Sequence, residues 1–184
     1  MNKSLKYGLF LLVLGVVVAT LLALVNSFTA PIIAKQEIEK IKPLLMEVSP
    51  DSEEFVDVTS EYTLPSEVEK VYKDESNNIL VYFVATNGYQ GGTIKTLVAI
   101  DLDSKKIVNA IVTTADKQTP GIGEKVLTHD FEVSNVDASV YASLNVESLK
   151  SGEYNMITGA TVSSRAVLNG IKIASKHFMG IVGE

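Results

Sequence analysis

The chain has 184 residues, of which 46% are hydrophobic, and it carries 22 acidic against 16 basic residues and no cysteine. This length supports one globular core beside a membrane segment, and the apolar content is that of a folded protein. An acidic chain without a basic run excludes nucleic acid as the expected partner. Because cysteine supplies the usual ligands of iron–sulfur clusters, electron transfer by this chain would need an organic cofactor.

The first predicted element is an apolar helix that anchors the chain in membrane lipid over residues 1–30. The stretch from Tyr7 to Val25 contains no charge and would span about 28 Å as a helix, close to the thickness of a bilayer core. A cleaved signal peptide is the alternative, but its apolar region is usually about 7–15 residues long. Lys3 and Lys6 precede the run, which predicts a cytoplasmic N-terminus and a domain on the extracytoplasmic face of the cell (inner) membrane.

A stalk helix is predicted over residues 31–50, where apolar residues recur at helical spacing. Pro43 lies inside this pattern and Pro50 follows it. The first proline is expected to kink or end the helix, and the second to stop it, because proline lacks the N–H that a helix interior needs.

Strand patterns dominate the first half of the exported domain, which is predicted to occupy residues 51–184. β-Branched and aromatic residues fill four short segments, separated by turn residues such as those at 88–92 and 103–106. Consecutive strands joined by short turns pair as an antiparallel meander. The segments cover residues 68–72, 79–85, 93–102 and 107–114.

An amphipathic helix is predicted from Thr161 to Met179. A sheet with one apolar face has to be covered, and this helix is the available cover. The predicted fold class is therefore α+β, with an N-terminal transmembrane helix followed by one domain in which helices cover an antiparallel sheet. The residues assigned to the buried side of the helix are Val162, Ala166, Val167, Gly170, Ile171, Ala174 and Phe178.

A glycine-bearing segment follows the last predicted strand and reads Thr119, Pro120, Gly121, Ile122, Gly123. Proline fixes φ and glycine lets the backbone come close to a neighbour, so the segment could form a rigid wall for a flat ligand. Taken alone, it is more readily interpreted as an ordinary turn. The chain has neither a dinucleotide-binding glycine pattern nor a P-loop.

A second small-residue segment, Thr158, Gly159, Ala160, Thr161, leads into the C-terminal helix. The first turn of a helix has unpaired N–H groups and the positive end of the helix dipole, so a phosphate on Thr161 would lie where anions are favoured. Gly159 and Ala160 leave room around that hydroxyl. The structural alternative is that Thr158 caps the helix, an interaction worth about 0.5–2 kcal/mol.

In this order behind an N-terminal anchor, residues 119–125 and 158–165 resemble the FMN-binding domain family, above all the G subunits of Rnf ion-translocating ferredoxin:NAD oxidoreductase complexes. The C subunit of the sodium-pumping NADH:quinone oxidoreductase is similar but generally has a longer exported domain. The resemblance implies an electron-transfer subunit whose FMN is joined through its phosphate to Thr161 by a flavin transferase that uses FAD. It also implies that Thr119 and Ile122 contact the flavin ring, and that other membrane and redox subunits are partners.

Two positions depart from the family's pattern. Asn155 stands three residues before Thr158, where an acidic residue is frequent, and Gln118 precedes the Thr-Pro-Gly segment, where glutamate is frequent. The first difference bears on recognition by the transferase. The second leaves the surroundings of the flavin less negative, which favours the reduced, anionic flavin.

No metal site is expected, because His129 and His177 lie far apart in a chain without cysteine. The Asp101 and Asp103 pair is interpreted as the start of a turn and not as a catalytic pair. Two other functions stay open. A non-redox membrane-anchored adaptor or sensor domain would use the glycine segments as turns, and a covalent-FMN carrier in an extracytoplasmic reductase chain would differ in its partners.

Overall fold

A computed structural model describes residues 3–52 and 54–183 of the chain. Its first element, α1, is the helix Lys3–Val48. The part Lys6–Ala30 has a mean hydropathy of 2.9 and is not buried by the rest of the described chain. These 25 residues form about 38 Å of helix, enough to cross a bilayer. The chain divides into two compact units, one up to Lys40 and one from Ile41 onwards.

Pro43 lies inside α1 and does not end it. The helix continues to Val48 and stops just before Pro50. Proline removes one backbone hydrogen bond, but Leu45 and Val48 are completely buried in the second unit. Burying such side chains contributes about 1.5–3 kcal/mol each, which offsets the missing bond and keeps the last turn helical.

The second unit is built on a five-stranded antiparallel sheet in which each strand pairs with its neighbours in the sequence. The predicted meander is therefore confirmed. One short edge strand was not predicted, since three residues are too few to show an alternating pattern. The strands are β1 (Phe55–Asp57), β2 (Val68–Asp74), β3 (Ile79–Asn87), β4 (Thr93–Asp101) and β5 (Ile107–Ala115).

Two α-helices follow the sheet, the short α2 (Ala138–Ala142) and the long α3 (Thr161–Val182). The predicted core face of α3 is buried from Ala166 to Phe178. Gly170 faces the sheet, where a Cβ would make an ordinary van der Waals contact, 3.5 Å from the Thr96 hydroxyl oxygen on β4. The Thr86 hydroxyl on β3 donates a hydrogen bond to the Ala166 carbonyl at 2.9 Å. The α+β class is confirmed, with α3 lying across β3 and β4.

Val162 was wrongly assigned to the buried side of this helix. It is 50% exposed, although its helical position agrees with that of the buried Ala166. The reason is its place in the first turn of α3, where a surface cleft takes the place of a packing partner.

A buried carboxylate ties the end of α1 to the sheet. Asp74, at the end of β2, is inaccessible to solvent. Its oxygens accept hydrogen bonds from the Ser52 hydroxyl, from the Ser76 amide at 2.9 Å and from the Asn77 side chain at 2.7 Å. The Ser49 hydroxyl lies 2.6 Å from that of Ser52. These bonds hold the turn after α1 against the turn between β2 and β3.

We expect Asp74→Ala to lower the free energy of unfolding by about 1–3 kcal/mol, because the buried Ser52 hydroxyl would lose its acceptor and a buried donor left unpaired costs about that much. Urea unfolding of the full chain in detergent micelles, followed by the near-UV circular dichroism of tyrosine, measures the change. Asp103→Ala is the matched control, since Asp103 is exposed and accepts one side-chain bond, from Asn78 at 3.0 Å. Equal stability of the two variants would contradict this role for Asp74.

Candidate functional site

The two glycine-bearing segments border one cleft of about 270 Å³. One segment follows β5 and the other precedes α3, and they come near each other at Ile122, whose Cγ2 lies 3.7 Å from the point that a Cβ on Gly159 would occupy. The structure thus brings together residues that are far apart in the sequence. The cleft is lined by Tyr89, Thr119, Ile122, Gly123, Gly159, Ala160, Thr161, Val162 and Ser163.

Three of the predicted site residues, Pro120, Gly121 and Thr158, are exposed and do not line the cleft. Gly121 has a φ of 72° and no atom near its Cβ position, so it serves the turn and not a close approach. Gly123 does the reverse. A Cβ there would lie 3.1 Å from both the Gln118 Cβ and the Ser163 hydroxyl oxygen.

Thr158 does not cap α3, so the capping alternative is wrong. Ala160 occupies the N-cap position, and no side chain bonds the helix start from there. The turn is held from the helix side instead, because the Ser164 hydroxyl accepts a hydrogen bond from the Ile157 amide at 3.1 Å.

Thr161 is the first residue of α3 and is partly buried. Its hydroxyl makes no hydrogen bond with any residue that the structure describes. The first amide that bonds back into the helix is that of Ser164, which donates to the Ala160 carbonyl at 2.9 Å. The amides of residues 161–163 have no acceptor in the described chain. An unpaired hydroxyl therefore lies beside three unpaired N–H groups at the positive end of a helix.

The cleft has an apolar rim. Tyr89 is 41% exposed, Ile122 is 45% exposed and Val162 is 50% exposed, and all three line it. Within the described residues, no charged side chain takes part in the lining. Large apolar side chains that stay exposed around a concave site are typical of a surface that covers a ligand. The combination suits a molecule with a flat apolar body and an anionic end.

Gln118 lies directly behind the cleft and is 3% exposed. Its Oε1 accepts hydrogen bonds from the Tyr89 amide at 3.0 Å and from the Ser163 hydroxyl at 2.7 Å, and its Nε2 donates to the Asp116 carbonyl at 2.7 Å. From the sequence, Gln118 was expected only to leave the surroundings of the flavin less negative than a glutamate would. Its bonding partners Tyr89 and Ser163 could not be predicted, because the single sequence has no signal that links such distant positions.

Asn155, the other departure from the family's pattern, has a structural task. Its φ is 52°, in the left-handed region that asparagine tolerates better than most residues. Its side chain donates to the Asp130 carbonyl at 2.6 Å, and its own carbonyl accepts from His129 at 2.5 Å. These bonds join the loop before α3 to the loop after β5.

His177, the second histidine, also packs within the domain. Its Nδ1 lies 3.3 Å from the Tyr82 hydroxyl oxygen, and its Nε2 lies 3.2 Å from the Thr63 carbonyl oxygen. In the described ranges, no group of three or more histidine or acidic side chains is placed to hold a metal ion. Asp101 accepts hydrogen bonds from the amides of Asp103 at 2.9 Å and Ser104 at 2.6 Å, which confirms that it begins a turn.

A larger open groove of about 530 Å³ lies between the end of α1, β5 and residues 127–130. None of the predicted site residues lines it. Its lining holds the exposed Thr128 hydroxyl, but it does not include the start of a long helix with the unpaired amides found at residues 161–163. The cleft at Thr161 is therefore the candidate site.

Comparison with known proteins identifies the family of the chain. Residues 88–176, which contain every residue of the cleft, match the family model of the FMN-binding domain, and residues 1–48 match that of the RnfG N-terminal region. The chain thus carries an FMN-binding domain behind an RnfG-type N-terminal region. No solved structure matches the chain.

Curated relatives match over almost their whole length. The G subunit of the Na(+)-translocating ferredoxin:NAD(+) oxidoreductase complex of Acetobacterium woodii is 28% identical, over 96% of this chain and 92% of the relative. The G subunit of the ion-translocating oxidoreductase complex of Methanosarcina acetivorans is 31% identical, over 89% and 88%, and that of Shewanella baltica is 27% identical, over 96% and 90%. The chain belongs to the family of G subunits of ion-translocating oxidoreductase complexes.

Proposed function

We propose that this protein is the electron-transfer subunit of a membrane-bound Rnf-type ion-translocating ferredoxin:NAD oxidoreductase and that it carries FMN as a phosphoester on Thr161. The observation that carries the proposal is the unpaired Thr161 hydroxyl, which borders the same cleft as the segment after β5. The family to which the chain belongs and its FMN-binding domain support the same function.

The residues of the cleft fit FMN at both of its ends. Thr161 would hold the phosphate, with the amides of residues 161–163 as donors to its oxygens. Tyr89, Thr119 and Ile122 would lie against the ring and shield it from water. FMN supplies reversible electron transfer when bound, and the protein's task is to hold the ring in place and to set its surroundings. This task needs no catalytic acid or base.

Attachment is a phosphoryl transfer without any redox change. The Thr161 hydroxyl oxygen would attack the phosphorus on the FMN side of the FAD pyrophosphate, so that a new P–O bond forms and the P–O bond to AMP breaks. AMP leaves, and the hydroxyl proton passes to a base of the flavin transferase or to water. The product keeps one negative charge on its phosphodiester, which the helix start stabilises.

We further propose a single-pass membrane protein with its domain on the extracytoplasmic face. The apolar helix Lys6–Ala30 would cross the lipid, and Lys6 with the preceding Lys3 would keep the N-terminus in the cytoplasm. Residues 1–30 would act as the anchor, 31–50 as the stalk and 51–184 as the exported FMN-binding domain. Other membrane and redox subunits of the complex would be its electron-transfer partners.

The first test asks whether the flavin is covalent. When the full chain is expressed with its flavin transferase and denatured on a gel, its band is expected to fluoresce, and its intact mass should exceed that of the polypeptide by one esterified FMN. A colourless band of unmodified mass would contradict the proposal and favour the adaptor or sensor. Purification of a flavin-bearing chain without other redox subunits would favour a carrier in an extracytoplasmic reductase chain.

A further inference from the structure

We propose that Gln118 is the positioning residue of the FMN site, and that it works because it is an amide. It joins the turn that presents Tyr89 to the first turn of α3 that presents Thr161. The inference rests on the proposed function in one respect, namely that FMN occupies this cleft. The hydrogen bonds of Gln118 in the flavin-free protein can be tested whether or not FMN binds here.

Gln118 bonds to both sides of the cleft from one oxygen. Its Oε1 accepts from the Tyr89 amide at 3.0 Å and from the Ser163 hydroxyl at 2.7 Å. Ser163 lies in the first turn of α3, two residues after Thr161. The positions of Tyr89 and of the helix start are therefore fixed relative to each other by a buried, 3% exposed side chain.

Three glycines pack against this side chain. A Cβ at Gly88 would lie 2.8 Å from both the Nε2 and the Oε1 of Gln118, and one at Gly92 would lie 2.8 Å from its Nε2. At Gly123 the distance to the Gln118 Cβ would be 3.1 Å. These contacts leave little room for the amide to move, so that it holds one orientation.

The amide is the group that satisfies every partner. Oε1 acts as an acceptor twice, while Nε2 donates to the Asp116 carbonyl at 2.7 Å. An ionised glutamate only accepts hydrogen bonds, so one of its oxygens would face the Asp116 carbonyl oxygen without a hydrogen between them. Only the protonated acid could replace the amide. A leucine of similar length would satisfy none of the three partners.

The test compares four variants of the full chain, each expressed with the flavin transferase and purified in detergent. Gln118→Leu removes all three bonds, Ser163→Ala removes one, and Gln118→Glu makes the bonds depend on pH. Ser175→Ala is the matched control, because Ser175 is a buried serine of the same helix whose hydroxyl has no hydrogen-bond partner in the described chain. Flavin fluorescence anisotropy reports the mobility of the ring in the folded holoprotein.

We expect anisotropy to fall in Gln118→Leu and, by less, in Ser163→Ala, while Ser175→Ala matches the wild type. In the protein without flavin, hydrogen exchange at the Tyr89 amide should become at least tenfold faster in Gln118→Leu. Loss of flavin from a folded Gln118→Leu variant would support the proposal equally. If Gln118→Leu does not fold, the anisotropy of Ser163→Ala and the pH dependence of Gln118→Glu decide whether Gln118 positions the site.

Gln118→Glu should behave like the wild type at low pH and like Gln118→Leu at high pH. Burial against a carbonyl favours the protonated acid and raises its pKa above the usual value of about 4.3. In Gln118→Glu, the wild-type hydrogen bonds are then complete at a pH below the usual glutamate pKa. They are lost as the pH rises through the raised pKa of the buried acid. A merely space-filling role would not produce this pH profile.

Two results keep the proposals apart. The role of Gln118 would be overturned if Gln118→Leu had the flavin anisotropy and the Tyr89 amide exchange of the wild type and if Gln118→Glu showed no pH dependence. This holds even if the wild type carries covalent FMN. A wild type without covalent FMN would overturn the proposed function, and the exchange of the Tyr89 amide would then decide the role of Gln118 alone.

Discussion

Thr161→Ala, expressed with the flavin transferase, is expected to carry no covalent FMN while keeping the wild-type fold. The variant lacks the hydroxyl that the first residue of α3 presents to the cleft, next to the unpaired amides of residues 161–163. Its stability should stay within about 0.5 kcal/mol of the wild type, because the lost hydroxyl has no hydrogen-bond partner in the described structure. Intact mass and gel fluorescence measure the flavin, and far-UV circular dichroism measures the fold.

Two neighbouring hydroxyls test this assignment. Thr158 is exposed outside the cleft, and Ser163 is buried with its hydroxyl donated to Gln118. Thr158→Ala is therefore expected to keep the full mass of attached FMN, and Thr161→Ser, which preserves a hydroxyl, should keep at least part of it. If the FMN mass persists in Thr161→Ala, the acceptor is another residue and the phosphoester proposal for Thr161 is wrong.

Gly92→Ala should destabilise the domain by about 3 kcal/mol, near the upper end of what overpacking usually costs. A Cβ there would lie 2.0 Å from the Asp116 carbonyl oxygen. The φ of −68° and ψ of 143° at Gly92 suit alanine, so the cause is steric: the clash with the Asp116 backbone and a second close contact, 2.8 Å, with the Gln118 Nε2. The turn would have to move away from Gln118, and covalent FMN should be lost together with stability.

Gly180→Ala is the control for this prediction. Gly180 lies on the exposed side of α3, and no atom lies within 4 Å of its Cβ position. Alanine is favoured over glycine in a helix by about 1 kcal/mol, so this variant should be slightly more stable than the wild type. Urea unfolding in detergent measures both variants, and a Gly92→Ala chain as stable as the wild type would show that the turn can shift freely.

Much of the fold follows from local patterns. The strands around the turn at 88–92 have β-branched and aromatic residues, and the helix from Thr161 has a clear apolar side, so both appear in the sequence. Pro43 was a poor guide to the end of the helix, because a local sequence pattern does not show the burial of Leu45 and Val48 that keeps α1 helical. Val162 misled because periodicity places a residue on a helix face but does not show what lies opposite that face.

The candidate site was only partly predictable. Thr161 and Ile122 were chosen from their segments and lie together in the cleft. Tyr89 and Ser163 were missed as members of the site, and Gln118 was placed near the flavin without its bonding role, because these roles come from hydrogen bonds across β3, β5 and α3. Such bonds depend on the tertiary fold, and no spacing within one element indicates them.

If Thr161 carries FMN as proposed, its place at the junction of α3 with the sheet sets the time at which the attachment can occur. The hairpins of the meander pair residues that are close in sequence and can form early. The cleft, by contrast, has only one of its two sides until α3 lies across β3 and β4. On the proposed function, a nascent or misfolded chain would offer the transferase a threonine without its surroundings. Attached flavin would then mark the molecules that have finished folding, before they join the electron-transfer chain.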